Sequence, residues 1–286
     1  MKFINKLKEK ITLPTYENRS FLKRSLARYR MLTYENRALP DFMIIGTQKG
    51  GTTSLYKYLA KHPDLKPNYV VKELSSFDED YSRGGVWYRS NFPKRKKGKL
   101  YFEGTTHYLY NPLVSGRVRK MLPNVKIIIL LRDPIDRAYS SYKHQVRAGR
   151  EPLSFEEAIQ AESERLKGEK EKLLTDPAYI SYNYNHFSYI ERGKYDDQIN
   201  NWLEYFPKEQ MLILSSKDFF KNTDNSLKQI YDFLDIRYVK TIIKKKHNTG
   251  DYKDTMSEEM REKLKLIFEP HNIKLQKLLE KDFLED

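Results

Sequence analysis

A lysine set between glycines, Lys49, lies in the segment GTQKGGTTSL, which starts at Gly46. The apolar run at residues 42–45 before it is typical of a buried parallel strand. The residues after Gly51 show the apolar spacing of a helix. A glycine loop that leads into a helix presents unpaired N–H groups and the positive end of the helix dipole. The sequence therefore predicts a site for a phosphate or sulfate group.

The loop differs from that of nucleoside triphosphatases. Gly46 and Gly51 have the spacing of the GxxxxGK[ST] motif, but Thr52 follows where the motif needs lysine. The available lysine is Lys49, and no clear acid that could hold magnesium follows the apolar run 125–131. A P-loop nucleotide kinase or NTPase is therefore the alternative interpretation, not the leading one.

A second group of polar side chains follows the most apolar run of the chain, VKIIILL at residues 125–131. Arg132 comes directly after this predicted strand, and Ser140 lies in the helix predicted to follow it. Parallel sheets bind ligands beyond the carboxyl ends of their strands, so Arg132 and Lys49 should converge there. Such a pair suits an anion with a phosphate at each end.

Four segments in this order resemble the sulfotransferases that use 3′-phosphoadenosine 5′-phosphosulfate (PAPS). The segments are the glycine loop, KELSSFD from Lys72, YFEGTTHYLYNP from Tyr101, and IILLRDPIDRAYSSYKHQ from Ile128. The resemblance runs from about residue 41 to 279 and is closest to the branch that sulfates heparan-type glycans, including its N-sulfotransferase domain. It implies an α/β, P-loop-like three-layer fold with a central parallel sheet flanked by helices.

The resemblance also implies roles for matching residues. Lys49 would stabilise the leaving phosphate, and Glu73 or His144 would serve as the base that accepts the acceptor's proton. The other implied positions bind PAPS or its product adenosine 3′,5′-bisphosphate (PAP): Gly50, Gly51, Thr52, Thr53 and Ser54 at the 5′-phosphate, Arg132 and Ser140 at the 3′-phosphate, and Lys246 and His247 in a late basic loop over the nucleotide.

The acceptor is less well defined by the resemblance. Gly104 stands where heparan-type enzymes often have a lysine, and Ser75 stands where the hydroxyl-sulfating branch has a histidine. The expected acceptor is a glycan or another molecule with a hydroxyl or amino group. Whether sulfate goes to oxygen or nitrogen stays open. No metal is expected, because the family needs none.

The composition limits the classes of partner. The 286 residues carry a formal net charge of +14, with a pI of about 9.5, and include no cysteine. Disulfides and thiolate sites are therefore excluded, and anionic partners are favoured. A basic protein that binds polyanions through KRKKGK (residues 94–99) and KKKH (residues 244–247) without catalysis is the non-enzyme alternative. Nucleic acid is not the expected partner, because the glycine loop would then have no role.

Residues 1–40 are predicted to form a basic helical arm, and residues 41–286 the sulfotransferase domain. The arm could touch anionic lipid as an amphipathic helix or pack on the domain. No apolar run is long enough for a membrane helix, which predicts a cytoplasmic protein, with a membrane-peripheral location left open. Further strands are predicted at 100–103 and 211–214, a loop at 81–92, and two helices separated near Pro270.

Overall fold

A five-stranded parallel sheet forms the centre of the protein. The computed structural model describes residues 26–68, 72–240 and 256–280. The strand order is β2-β3-β1-β4-β5, and every neighbouring pair is parallel. The strands are β1 (Phe42–Gly46), β2 (Leu65–Pro67), β3 (Leu100–Gly104), β4 (Lys126–Leu131) and β5 (Met211–Ser215). The predicted α/β class and the four predicted strands are confirmed; β2, a short edge strand that ends in proline, was not predicted.

Helices cover both faces of this sheet. In chain order they are α1 (Thr52–Leu59), α2 (Gly84–Ser90), α3 (Val114–Met121), α4 (Pro134–Arg147), α5 (Phe155–Leu166), α6 (Glu169–Thr175), α7 (Tyr182–His186), α8 (Tyr195–Leu203), α9 (Ser216–Lys221), α10 (Thr223–Leu234) and α11 (Glu258–Leu279). Short 3₁₀ turns lie at Tyr34–Asn36, Tyr81–Arg83, Glu191–Gly193 and Lys208–Gln210. Residues 26–32 are also helical.

Alternation along the strands builds two apolar layers. Met43 and Ile45 of β1 face one layer, together with side chains from α3, α8 and α11. Phe42 and Ile44 face the other, which α1, α9 and α10 cover. Because successive side chains of a strand point to opposite faces, a strand covered on both faces must be apolar throughout. This requirement explains the unbroken apolar runs of β1 and β4.

The strand order reverses at β1, which pairs with β3 on one side and with β4 on the other. In open parallel sheets, ligands bind where the order reverses, beyond the carboxyl ends of the strands. The loop after β1 and the turn after β4 are therefore placed side by side at this point. Thr47 N–H donates to Leu130 O at 2.9 Å across the gap.

Two predicted elements were wrong. The stretch predicted as a loop at 81–92 contains helix α2, because Tyr88 packs into the core together with Phe92, and this packing offsets the low helix propensity of the glycines. The C-terminal stretch is one helix, α11, with Pro270 inside it. The carbonyl that Pro270 leaves without an N–H belongs to Leu266, which is exposed, so water can satisfy it.

Candidate active site

The glycine loop after β1 forms a close-fitting cradle. A Cβ on Gly50 would lie 2.6 Å from Leu130 O and 2.8 Å from Thr47 Cγ2. Gly51 has a φ of 95°, and a Cβ there would lie 2.7 Å from the Phe220 ring. Both positions therefore require glycine for steric reasons. Ser216 Oγ donates to Gly50 O at 2.8 Å, which ties the cradle to α9.

The N-terminus of α1 opens directly from this cradle. Gly51 is its N-cap, and Thr52, Thr53 and Ser54 form the first turn. The first N–H groups of a helix have no partner within the helix, and they carry the positive end of its dipole. Thr52 and Ser54 have buried side chains, whereas Thr53 is partly exposed. The predicted 5′-phosphate residues therefore lie together on one turn.

Lys49 stands beside the cradle among other cations. Its backbone φ is 71°, an unusual value for a residue other than glycine. Burial, followed by the charges of Arg147 and Arg132, lowers the pKa of the Lys49 ammonium. These three causes each disfavour positive charge, so an anion bound here would relieve both the repulsion and the loss of solvation.

Arg132 connects the two strand ends that were predicted to converge. Its Nη1 donates to Lys49 O at 3.2 Å. Its Nη2 lies 3.8 Å from Asp136 Oδ2, a weak pair between partly exposed groups. Arg132 therefore retains the capacity to bind an anion. Tyr195 OH holds the backbone of this turn by donating to Arg132 O at 2.9 Å.

Helix α4 carries the next predicted residues. Asp133 caps it by accepting from Asp136 N at 2.8 Å, and Pro134 is its first residue. Ser140 is buried at 3% exposure. His144 lies one turn further on, with its Nδ1 3.5 Å from Arg147 Nη2. Burial, then Lys49 and Arg147, lowers the pKa of His144. The charge of Lys49 therefore acts on the His144 imidazole.

Glu73 lies beyond the end of β3, on the other side of β1. Thr106 N–H donates to Glu73 Oε2 at 2.7 Å, and the Thr106 hydroxyl lies 3.2 Å from the same oxygen. Lys72 Nζ lies 2.5 Å from Glu73 Oε1. The Glu73 side chain is still 42% exposed, so the carboxylate is held in place while it remains open to solvent.

The sequence did not predict a chain of polar side chains that contacts the glycine loop through Gln48. Arg192 Nη2 lies 3.3 Å from His107 Nδ1, and His107 Nε2 lies 3.2 Å from the Gln48 amide. The Gln48 amide in turn lies 3.5 Å from Ser141 Oγ. Burial, then the charge of Arg192, lowers the pKa of His107 well below its usual value, so this ring is neutral. We call these four residues the Gln48 brace.

The brace fixes which nitrogen of His107 carries the proton. An arginine can only donate, so Nδ1 accepts and Nε2 carries the hydrogen. The Gln48 atom that faces Nε2 is the amide nitrogen. A half-turn of the amide exchanges this nitrogen for the oxygen, to which Nε2 can donate. No spacing motif in the sequence marks the partners of His107. The only sequence signal is its position shortly after β3, at the same sheet edge as Gln48.

The remaining positions are described more briefly. Gly104 has Tyr56 Cδ2 at 3.1 Å and Lys72 Cγ at 3.7 Å from the place of a Cβ, so a larger side chain would have to displace them. Ser75 has a φ of 53°. Lys246 and His247 lie outside the described residues. Within the described ranges, one group could offer three metal ligands within 4.8 Å of one another, namely Asp196, Asp197 and His271.

Side chains with two kinds of chemistry meet at the carboxyl-terminal edge of the sheet. Cations and helix N–H groups surround the glycine cradle, whereas a carboxylate, Glu73, stands beyond the neighbouring strand β3. The first group can hold an anion and stabilise negative charge that grows on a leaving oxygen. The second can accept a proton from a nucleophile. This is a suitable arrangement for group transfer from a phosphorylated donor.

Known proteins resemble this chain over most of its length. A solved sulfotransferase from Alicyclobacillus acidocaldarius superimposes with a TM-score of 0.70 at 28% identity, covering 86% of this chain and 97% of that one. A mouse sulfotransferase solved with PAP has a TM-score of 0.52 at 18% identity, covering 90% of this chain and 94% of that one, which supports the fold alone.

Curated relatives are somewhat more similar in sequence. The membrane-associated sulfotransferase kil1 of Dictyostelium discoideum is 29% identical, over 86% of this chain and 66% of its own length. Mouse heparan sulfate glucosamine 3-O-sulfotransferase 3B1 is 32% identical, over 74% of this chain and 49% of its own length. The chain thus spans 66% and 49% of the lengths of these two relatives.

The family assignment rests on a match that includes both strand ends of the site. The sulfotransferase domain profile matches residues 39–248, a range that contains the glycine cradle, Glu73, Arg132 and α4. Because this range is well over half of the 286 residues, the match covers the sheet and the site together. The chain therefore belongs to the sulfotransferase domain family of enzymes.

Proposed function

We propose that this protein transfers a sulfuryl group from PAPS to a hydroxyl or amino group of a glycan. The observation that carries the proposal is the place of Lys49, in a cluster of cations at the N-terminus of α1. Burial and the charges of Arg147 and Arg132 all act against its positive charge. A donor with phosphates at both ends would offset this repulsion. The mouse sulfotransferase with the same fold was solved with PAP, the product of this donor.

The residues of the cradle fit such a donor. Gly50 and Gly51 leave no Cβ in the places where Leu130 O and the Phe220 ring come closest. The first turn of α1 offers its N–H groups to a 5′-phosphate. Arg132, at the end of β4, is the proposed ligand of the 3′-phosphate, with Ser140 on the helix that follows. Of the two proposed 3′-phosphate ligands, Ser140 is buried and Arg132 is partly exposed.

Catalysis would then follow from position and charge. The acceptor oxygen or nitrogen bonds to sulfur while the bond from sulfur to the phosphate oxygen breaks, and PAP departs with the extra negative charge. Lys49 stabilises that charge, as a preorganised cation does for other leaving phosphates. The acceptor's proton must pass to a base within hydrogen-bond reach.

We assign the role of base to Glu73 and not to His144. Glu73 is held by Thr106 and keeps part of its carboxylate exposed. His144 Nδ1 faces the Arg147 guanidinium, which can only donate, so the neutral ring carries its proton on Nε2. In this state Nε2 is a donor. His144 is therefore better suited to donate a hydrogen bond to the donor's sulfate or phosphate oxygens.

A glycan acceptor rests on the relatives, among which are enzymes named for heparan sulfate at 32% and 33% identity. The experiment supplies labelled PAPS to the protein with a panel of glycans, lipids and small alcohols, and measures labelled product and released PAP. Sulfate on a glycan supports the proposal. Transfer only to a lipid or a small alcohol would contradict the acceptor class, and failure to convert PAPS with every acceptor would contradict the activity.

The identity of the base is tested with two variants in the same assay. We expect Glu73→Gln to lower the rate of transfer about 100-fold or more with PAP affinity unchanged, because the base acts on the acceptor alone. We expect His144→Asn to weaken PAP binding and to lower the rate less. The reverse order, with His144→Asn more damaging to the rate at saturating PAPS, would reassign the base.

A further inference from the structure

The part of the protein opposite the candidate active site exposes an unusual combination of apolar and basic side chains. In helix 26–32, Leu26 is 49% exposed, Tyr29 is 51% exposed and Leu32 is 77% exposed. Residues three apart on a helix lie about 60° apart around its axis, so these three form one stripe. Arg28 and Arg30 lie on either side of the stripe.

The helix is fixed to the domain by hydrogen bonds. Arg37 is buried, and it donates from Nε to Arg30 O at 3.1 Å and from Nη1 to Phe92 O at 2.9 Å. Arg89 of α2 donates from Nη2 to Glu35 O at 2.9 Å. Because these bonds join the helix to the segment around α2, its apolar stripe is held in an exposed position.

A second basic segment is joined to the same place. Arg37 forms an isolated antiparallel bridge with Lys94, and Arg95 N–H donates to Asn36 O at 3.1 Å. Asp41 pairs with Arg95 at 2.7 Å. Three other lysines of the run at residues 94–99, Lys94, Lys96 and Lys97, are exposed, whereas Lys99 is half-buried and pairs with Asp64 at 2.7 Å. We call helix 26–32 together with these three lysines the basic–apolar face.

This face lies at the amino-terminal edge of the sheet. Residues 36–41 lead into β1, and residues 94–99 lead into β3, so both segments meet the strands where they begin. The glycine cradle and Arg132 lie where the strands end. A strand of five residues is about 16 Å long, which separates the two regions by at least that much.

We propose that the basic–apolar face docks on the surface of a membrane that contains anionic phospholipid. Leucine and tyrosine side chains enter the boundary between headgroups and acyl chains, and lysines and arginines beside them attract anionic headgroups. An anionic polysaccharide would satisfy the charges but not the exposed apolar stripe. This inference is independent of the proposed reaction.

The chain's own N-terminal residues are a less suitable occupant of the face. Residues 1–25 would bring like charge to Arg28 and Arg30, since their sequence contains seven basic residues and two acidic ones. The basic residues are Lys2, Lys6, Lys8, Lys10, Arg19, Lys23 and Arg24, and the acidic ones are Glu9 and Glu17. An anionic lipid surface satisfies these charges together with those of the face.

The orientation has a consequence for catalysis. With the amino-terminal edge of the sheet toward the lipid, the carboxyl-terminal edge and its site face away from it. Docking then leaves the site open to a donor and an acceptor in solution. The rate of transfer to a soluble acceptor should be the same with and without vesicles.

The test is co-sedimentation of the full chain with vesicles of phosphatidylcholine alone or mixed with phosphatidylserine, at increasing salt. We expect binding only to the mixed vesicles, and weaker binding as salt rises. Leu26→Ser/Leu32→Ser should reduce binding at least tenfold, and Lys94→Gln/Lys96→Gln/Lys97→Gln should reduce it about fivefold per lysine. The matched control is Leu266→Ser/Ile273→Ser, which removes two exposed apolar side chains of α11 and should leave binding unchanged.

Several results would overturn the proposal. These are equal binding to both kinds of vesicle, no binding to either, unchanged binding in both face variants, or equal loss in the control. If the lysine variant lost binding to a sulfated polysaccharide while vesicles did not bind the wild-type protein, the face would be a glycan surface instead. Circular dichroism of each variant separates a loss of binding from a loss of folding.

Discussion

At the scale of single residues, Lys49 is informative because other cations lie close to it. Arg147, one of the cations that lower the pKa of the Lys49 ammonium, also acts on His144, whose pKa is lowered by burial, then by Lys49, Arg147 and Arg150. A cluster of like charges is stabilised by binding an opposite charge. The free protein therefore stores electrostatic repulsion that a doubly phosphorylated ligand would remove.

This repulsion predicts a change in the titration of His144. In the free protein its pKa lies below the ordinary value of an imidazole, so the ring gains a proton at a lower pH than a free histidine does. Bound PAP brings negative charge next to the cations and should raise the pKa of His144. The measurement is the NMR titration of the imidazole Cε1–H signal, assigned by its loss in His144→Asn.

The value of the His144 pKa in the free protein and the direction of its change with PAP decide the test. A His144 pKa at or above 6.5 without ligand would contradict the described electrostatics. A pKa that stays the same or falls when PAP is added would place the phosphates away from this cluster.

At the scale of elements, the cradle depends on the close approach of the β1 loop to β4. Gly50→Ala would place a Cβ 2.6 Å from Leu130 O, a backbone atom that cannot move alone. We expect a loss of about 1–3 kcal/mol in the free energy of unfolding. We also expect PAP affinity to fall at least tenfold, because the loop must shift. Thermal unfolding and calorimetric titration with PAP measure the two effects.

A matched glycine makes this test specific. Gly98 has a φ of 72° and no atom within 4 Å of the place of a Cβ, so Gly98→Ala meets backbone strain without a clash. It should cost about 1 kcal/mol and leave PAP affinity unchanged. If Gly50→Ala bound PAP as tightly as Gly98→Ala does, the cradle would not be the phosphate site.

The Gln48 brace joins three elements to the loop, so its removal should change the site more than the stability. His107→Ala removes the contacts to Gln48 and Arg192, and His62→Ala removes a fully buried histidine elsewhere in the fold. Both should cost about 1–3 kcal/mol in unfolding free energy. Only His107→Ala should raise the KM for PAPS, by about tenfold, with kcat less affected. Equal KM values in the two variants would reduce the brace to a structural role.

The sequence determined the elements and the donor side better than the acceptor side. The strands β1, β3, β4 and β5 were predictable because strands buried on both faces must be continuously apolar, as in residues 125–131. The contact of Arg132 with the Lys49 carbonyl follows from the meeting of parallel strand ends. Helix α2 was not predictable, because its two glycines favour a loop until Tyr88 is seen in the core.

The Gln48 brace could not be predicted for a different reason. Its partners come from separate parts of the chain, 59 residues apart for Gln48 and His107 and 85 apart for His107 and Arg192. No local spacing connects such residues. By contrast, the capping box of Ser154 and Glu157 on α5 is local, because its two residues are three positions apart in the sequence.

At the scale of the whole molecule, the two edges of the sheet have different chemistry. The carboxyl-terminal edge gathers Lys49, Arg132 and Glu73, whereas the amino-terminal edge joins helix 26–32 to the basic run at residues 94–97. Over the described part of the chain, no helix is long and apolar enough to cross a membrane. Basic side chains therefore lie at both edges of the sheet, in the candidate ligand site and on the separate basic–apolar face.

The most direct test of the central claim is the rate of sulfuryl transfer from labelled PAPS in Lys49→Ala beside Lys57→Ala. Lys57 is an exposed lysine in the last turn of α1, at the end of the helix away from the cradle. The account predicts a 10²–10³-fold loss of kcat in Lys49→Ala, roughly the effect of removing one preorganised donor to a developing negative charge, and a wild-type rate in Lys57→Ala. A folded Lys49→Ala protein that transfers sulfate at the wild-type rate would contradict it.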